Sequence, residues 1–341
     1  MIVFIALALY MLIQLTFVMR HDGDTKERFA GFYAEPKNSI DVLVIGSSAV
    51  HPYYSAPLIW EEFNVTSYPL ASSSQSPQAI QFLIEEGKKH QNPQVVVIDV
   101  RLFQYPYEDR LSHEVNLHEV IDGLTYSYNR FDMINHMIPD KAKHLEYYFD
   151  IIKYHSNWKT GFNKNSFQYV NFNRKSDLKG FIPVATHEYF DVPDFDNSKV
   201  SPIPAASEVV LRSLLEYCQT QDTPIQFILS PSIITQQDIE KHSYIGSIIQ
   251  EAGFPFLDCN LKYNEIGIDF SRDLYDNNHL NVEGAEKYSK FIGEYLKDTY
   301  SLNRIHDTKV TEDWDTAYLA WLDSFSSKKI ELENNILVEQ Q

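Results

Sequence analysis

Ser48 closes a Gly46-Ser47-Ser48 turn that follows an apolar run, Val42-Leu43-Val44-Ile45. A hydroxyl at the end of a buried strand faces the crevice where open α/β sheets bind ligands. Much later in the chain, Asp276-Asn277-Asn278-His279 lies in a polar stretch directly ahead of a helical pattern, and of the 12 histidines only His279 has an aspartate three residues before it. A compact turn lets the Asp276 carboxylate bind one imidazole nitrogen while the other faces a serine. That fixes the tautomer and orientation a general base needs. Each piece alone has a plainer reading: Gly-Ser-Ser is an ordinary turn sequence, and an aspartate capping a turn beside an exposed histidine has the same spacing. Joined, they carry the residue types of nucleophilic acyl transfer.

The elements that must bring them together are legible as a pattern. Near-continuous apolar runs at 40–45, 65–70, 95–100, 225–229 and 254–257 predict strands buried on both faces. Helical stretches at 77–90, 206–221, 235–252 and 282–298 alternate with them, the last starting at Asn281 as an N-cap and repeating Tyr288, Phe291, Ile292, Tyr295 and Leu296 at helical spacing. The alternation predicts an α/β fold, a three-layer α/β/α sandwich with a central parallel sheet over residues 39–300 and its site at the carboxyl ends of the strands. Residues 105–200, rich in Tyr, Phe, Asn, His and Asp, interrupt it. They read as one insertion with a short helical piece near 140–153, placed to cap the site. Within it, His155 and Trp158 are candidates for stacking on a sugar or for packing the insertion itself. Residues 301–341 read as a tail whose Trp314 and Trp321 pack as a helix before the Glu/Asn/Gln-rich end frays.

From Ile2 to Met19 the chain is apolar apart from Gln14 and Thr16. At the helical rise this run spans about 27 Å, close to a bilayer hydrocarbon core. The expectation is an uncleaved, single-pass transmembrane anchor over 1–20 and a polar juxtamembrane linker over 21–38. The balance of 29 basic against 47 acidic residues, net −18, argues against nucleic acid as a partner. Cys218 and Cys259 are too few for a disulfide scaffold and read as small core residues.

The glycine-serine-serine turn and the Asp276-x-x-His279 pair resemble blocks I and V of the SGNH (GDSL-like) hydrolase superfamily. The resemblance covers residues 40–104 and 205–300 and is carried mainly by these two end blocks. It implies Ser48 as nucleophile, His279 as general base and Asp276 as its orienting carboxylate. The Gly-Ser-Ser variant, the amino-terminal anchor and the long insertion are similar to extracytoplasmic proteins of teichoic-acid D-alanylation and polysaccharide O-acetylation systems. Those work beside a membrane-bound O-acyltransferase. The resemblance therefore implies a membrane-held serine esterase or O-acyltransferase with a cell-envelope polysaccharide or glycopolymer as substrate.

The middle blocks depart from the family. Ser74 stands where the resemblance places a glycine whose N–H helps form the oxyanion hole, and Asp99-Val100-Arg101 replaces an asparagine after the third strand. Arg101 is then an alternative oxyanion donor or a salt-bridged strand-end residue. His51, three residues after Ser48, either lines the cleft or completes a turn. A triad with an oxyanion hole requires no cofactor, and no metal-ligand spacing is convincing. Two other readings stay open: a non-catalytic accessory protein that binds a glycopolymer or partner through a degenerate hydrolase cleft, and a lipid esterase held at the bilayer.

Overall fold

The computed structural model describes residues 1–17, 23–106, 113–160 and 174–339. Its centre is a parallel sheet of β1 (Val42–Gly46), β2 (Ser67–Ala71), β3 (Val95–Asp99), β4 (Ile225–Leu229) and β5 (Phe256–Asp258), in the order β2-β1-β3-β4-β5. Every neighbouring pair is parallel. After β1 the chain turns to one side for β2, then crosses to the other for β3. The direction of winding therefore reverses between β1 and β3, and their carboxyl ends flank the crevice at which such sheets bind ligands.

Alternation along the strands sorts side chains to two faces. Leu43 and Ile45 of β1, with Val96, Ile98, Phe227 and Leu229, share a core with α4 (Ile80–His90) and with the helices Ala205–Gln219 and Gln236–Glu251. Val42 and Val44, with Val95, Val97 and Ile228, pack instead with Ile59, Tyr288, Ile292 and Leu296. Those last four lie on α3 (Ala56–Phe63) and on the helix Val282–Tyr300. The layers are helix, sheet, helix. All five strands of the expected sheet are present, β4 with the expected bounds and the others displaced by at most two residues at either end.

The amino-terminal segment was expected as an anchor followed by a linker. The helix α1 covers Ile2–Phe17, and residues 18–22 lie outside the described part. Among the described residues no helix is long and apolar enough to cross a membrane. Residues 21–38 were expected as linker, yet Gly23–Ala34 forms the helix α2, which buries Phe29 and Phe32 in the main core. The Tyr68 hydroxyl of β2 donates to the Arg28 carbonyl at 2.8 Å, and Arg28 Nε donates to the Ala71 carbonyl at 2.7 Å. The two buried phenylalanines stand one helical turn apart among polar residues, so the apolar stripe is too narrow to stand out from the composition.

The insertion is more helical than its composition suggests. It holds α5 (Glu114–Gly123), α6 (Tyr128–Met137), α7 (His144–Tyr148) and α8 (Asp150–Tyr154). Leu117, Val120, Ile121, Met133, Ile134 and Met137 join the sheet core. From residue 176 an irregular strap returns across the carboxyl edge. Ile182 N–H donates to the His51 carbonyl at 3.0 Å and Glu188 N–H to the Leu274 carbonyl at 2.9 Å. The helices of the second half are α9 (Ala205–Gln219), α10 (Gln236–Glu251), α11 (Val282–Tyr300) and α12 (Thr308–Glu339). A reciprocal capping box between Thr235 and Asp238 starts α10, and Asn281 starts α11 by accepting from the N–H groups of Glu283 and Gly284.

The tail does not fray where its composition turns polar: α12 is continuous to Glu339 and buries Leu332 fully. It lies on α3 through Trp314, whose ring sits 6.0 Å from that of Trp60, and through the Trp60 indole N–H, which donates to Asp315 at 2.8 Å. Cys218 and Cys259 are free and buried.

Candidate active site

The site begins where β1 stops. Gly46 is its last residue, and a Cβ there would stand 2.6 Å from Val50 Cγ2 and 2.9 Å from Asp99 Cβ. Only glycine lets β1 run this close to β3 and then turn. The Val50 N–H donates to the Ser47 carbonyl at 3.0 Å, closing the turn that presents Ser48, half-buried, above the sheet edge.

The second half is a tight antiparallel hairpin of β6 (Leu274–Asp276) and β7 (His279–Leu280), with Asp276 paired to His279. Asp276 shapes its own turn, because Oδ1 accepts the Asn278 N–H at 2.7 Å. The hairpin is moored at several points. Ile233 N–H donates to the Asn277 carbonyl at 2.9 Å, Asn281 N–H to the Asp273 carbonyl at 2.8 Å, and Asn281 Nδ2 to the Arg272 carbonyl at 2.6 Å. Gly284, in the first turn of α11, would carry a Cβ only 2.4 Å from the Asp273 carbonyl oxygen, so this helix too abuts the hairpin without room for a side chain.

These moorings set the geometry. His279 Nδ1 lies 2.9 Å from each carboxylate oxygen of Asp276, and Nε2 lies 2.7 Å from Ser48 Oγ. An ionised carboxylate only accepts, so Nδ1 carries the proton and Nε2 accepts the Ser48 hydroxyl. The imidazole is held in the tautomer that can take the serine proton. Tyr275 stacks on its face with centroids 5.1 Å apart and planes 7° apart, and Tyr53 stands edge-on at 6.4 Å. Burial by itself would raise the Asp276 carboxyl, but the bond and charge of His279 and the neighbouring N–H donors draw it below its ordinary value.

No protein-family model matches this chain, and no curated protein matches it. What the site can do rests on its own geometry and on the motif resemblance.

The remaining expected residues fall into different roles. Ser74 is exposed in the loop after β2, beside β1 in the sheet, with φ at 44°. This left-handed backbone, costly for a residue with a Cβ, is the conformation a glycine would supply freely. Among the described residues, neither the Ser48 nor the Ser74 main-chain N–H has a protein acceptor. Arg101 is buried at the end of β3, and among the described residues its guanidinium does not pair with a carboxylate. Nη1 donates to the Asn278 carbonyl at 2.7 Å, while its main-chain N–H donates to Asp99 at 2.9 Å. The Tyr53 hydroxyl donates to the same Asn278 carbonyl at 2.5 Å. Arg101 is thus committed to holding the hairpin.

His51 is buried with Nδ1 unpartnered among the described residues, and it is pushed well below the ordinary imidazole range by burial first, then by the charges of Arg28 and His279. It belongs to the site's wall. His155 is exposed and bonds the Ile152 carbonyl within its own turn at 2.8 Å, while the Trp158 side chain lies outside what is described.

Sequence reasoning missed Tyr53, Tyr275, Asn278 and Arg28. Tyr275 was one residue from Asp276 and could have been found by asking what flanks the histidine. Arg28 gave no signal, since the helix that carries it read as linker. It now borders a cleft of about 200 Å³ with Ser176, Phe181, Ile182 and Pro183, next to His51 along the strap.

Proposed function

We propose that this chain is a serine-dependent acyl-ester hydrolase or O-acyltransferase that works through an acyl-serine intermediate. The observation that carries the reading is the unbroken relay from Asp276 through His279 to Ser48, with contacts of 2.9 and 2.7 Å. His279 takes the Ser48 proton as Oγ attacks the ester or thioester carbonyl. The tetrahedral oxyanion is met by main-chain N–H groups, for which those of Ser48 and Ser74 are the candidates. As it collapses, His279 returns the proton to the leaving alcohol or thiol, leaving acyl-Ser48. A second hydroxyl, from water or from a sugar, then gives its proton to His279 and takes the acyl group.

The substrate class follows from the motif resemblance: a cell-envelope polysaccharide or glycopolymer, outside the cytoplasmic membrane, with a membrane-bound O-acyltransferase as the partner that supplies acyl groups. Residues 1–20 would serve as the membrane anchor. In support, Ile2, Val3, Phe4, Ile5, Leu7 and Leu9 of α1 are all exposed, an arrangement that water disfavours and lipid does not.

The test is covalent labelling of the full chain with a fluorophosphonate, read by mass of the modified peptide. A stoichiometric adduct on Ser48, absent from Ser48→Ala, is expected. A folded protein that takes up no label, or takes it elsewhere, would transfer the argument to the non-catalytic binding reading.

A further inference from the structure

The insertion brings together a second set of chemically capable side chains, independent of Ser48. Glu114 opens α5, His118 follows one helical turn later on the same face, and Glu146 of α7 packs opposite. One ligand atom from each of the three lies within 4.8 Å of the other two. Acidic groups alone would say little, but His118 is different in kind. It is 97% buried, at 3% exposure, stacked on Tyr147 with centroids 4.0 Å apart and planes 7° apart. Its Nδ1 lies 3.1 Å from Asp122 Oδ2, while its Nε2 is buried with no hydrogen-bond partner among the described residues. Asp122 is in turn held by Tyr154 at 2.7 Å and Arg130 at 3.2 Å.

A buried imidazole with one nitrogen fixed by a carboxylate and the other left without a partner, in a cluster with two further carboxylates, is how proteins prepare a histidine for a metal. The bound carboxylate sets the tautomer, leaves Nε2 as the lone-pair donor and raises its basicity. Lys153 and Lys143 both donate to the Glu114 carboxylate, the latter at 3.2 Å. The same two lysines are the competitors that a cation must displace.

We propose that Glu114, His118 and Glu146 bind a first-row divalent cation, Zn²⁺ in preference to Mg²⁺ or Ca²⁺, and that the ion staples α5 to α7 within the insertion. One imidazole nitrogen with two carboxylates suits Zn²⁺, whereas Mg²⁺ and Ca²⁺ take oxygen ligands. Three protein ligands leave a fourth position for water or a further group.

The experiment is calorimetric titration of the chelator-treated full chain with ZnCl₂, with MgCl₂ in parallel. One equivalent of Zn²⁺ should bind and raise the thermal midpoint, with no such response to Mg²⁺. Glu146→Gln and His118→Gln should each weaken binding at least tenfold, and Asp122→Asn, which supplies no ligand atom and acts through the histidine, should weaken it about 10- to 100-fold. Cobalt(II) substitution gives a second readout: a ligand-field spectrum present in wild type and lost in Glu146→Gln, a variant at a partly exposed position whose folding is not at risk. Absence of zinc binding to the wild type, or equal binding by wild type and Glu146→Gln, would overturn the proposal. Neither result bears on the reading of Ser48.

Discussion

The Arg101 guanidinium ends on the main-chain oxygen of Asn278, 2.7 Å away and one residue before His279. Arg101 belongs to the end of β3, so the central sheet reaches directly into the hairpin that holds His279. Its ring neighbour Tyr53, 6.0 Å from the guanidinium carbon, donates to the same oxygen. Burial would lower the Arg101 pKa, but the nearby Tyr53 and Asp99 raise it, and the cation persists.

Replacing Arg101 by Met, which keeps the stem and removes the donor, should lower kcat by about 10- to 100-fold. That corresponds to losing a charged hydrogen bond of about 1.5–3 kcal/mol. Because Arg101 acts by positioning His279, KM for a small activated ester should change little. A fall in KM-dependent terms alone, with kcat intact, would assign Arg101 to substrate binding instead.

Asp276→Asn should cost about 10³- to 10⁴-fold in kcat, because an amide can stabilise the wrong imidazole tautomer. The pH profile follows from the sign of the shift. A carboxyl with its pKa lowered by the fold is already ionised above the ordinary value of 3.8, and its contribution is lost only as pH falls through the lower folded value. Asp276 therefore adds no titration to kcat/KM between pH 5 and 8. An acid limb in that window that disappears in Asp276→Asn would contradict this assignment.

His51 makes a different pH prediction, on stability. Its folded pKa is depressed below 6.5, so the unfolded chain binds the proton first. The neutral side chain's contribution is full above about 6.5 and is lost as pH falls toward the lower folded value. His51→Gln should flatten the decline of the denaturant midpoint as pH drops below 6.5. Identical slopes for the two proteins would show that His51 carries no such linkage.

Gly46→Ala places a methyl against Asp99 Cβ and Val50 Cγ2. The valine end can rotate away, but Asp99 is fixed by bonds to the N–H groups of Arg101 and Ser230 at 2.9 and 3.1 Å. A loss of about 1–3 kcal/mol in stability is expected from overpacking of this kind. The fluorophosphonate reaction at Ser48 should slow as well, since the displaced turn carries Ser48. Stability lost with labelling unchanged would separate the packing role from the presentation of Ser48.

Much of this molecule was legible before its structure. Apolar runs bounded by turn residues marked all five strands, because a strand buried on both faces must be apolar throughout. Asn281 was readable as a cap, and Ser48, Asp276 and His279 were nameable from residue type and spacing. Helix α2 was not, because two phenylalanines a turn apart in a polar stretch have no visible partner until β2 and the insertion pack around them. Helix α5 was harder still to see: Leu117, Val120, Ile121 and Leu124 have helical spacing, yet the polar and aromatic composition of residues 105–200 hid it.

The sequence by itself determined the alternation of elements and the chemical identity of the three relay residues, since both are local properties of pattern and type. Only tertiary structure decided their contact. A 2.7 Å approach between residues 231 positions apart depends on the hairpin being tied to Arg101, Tyr53 and Ile233. It decided the same for Glu114, His118 and Glu146, whose convergence needs two helices to pack. No local pattern encodes a distance across the fold, because it is set by the packing of every element between.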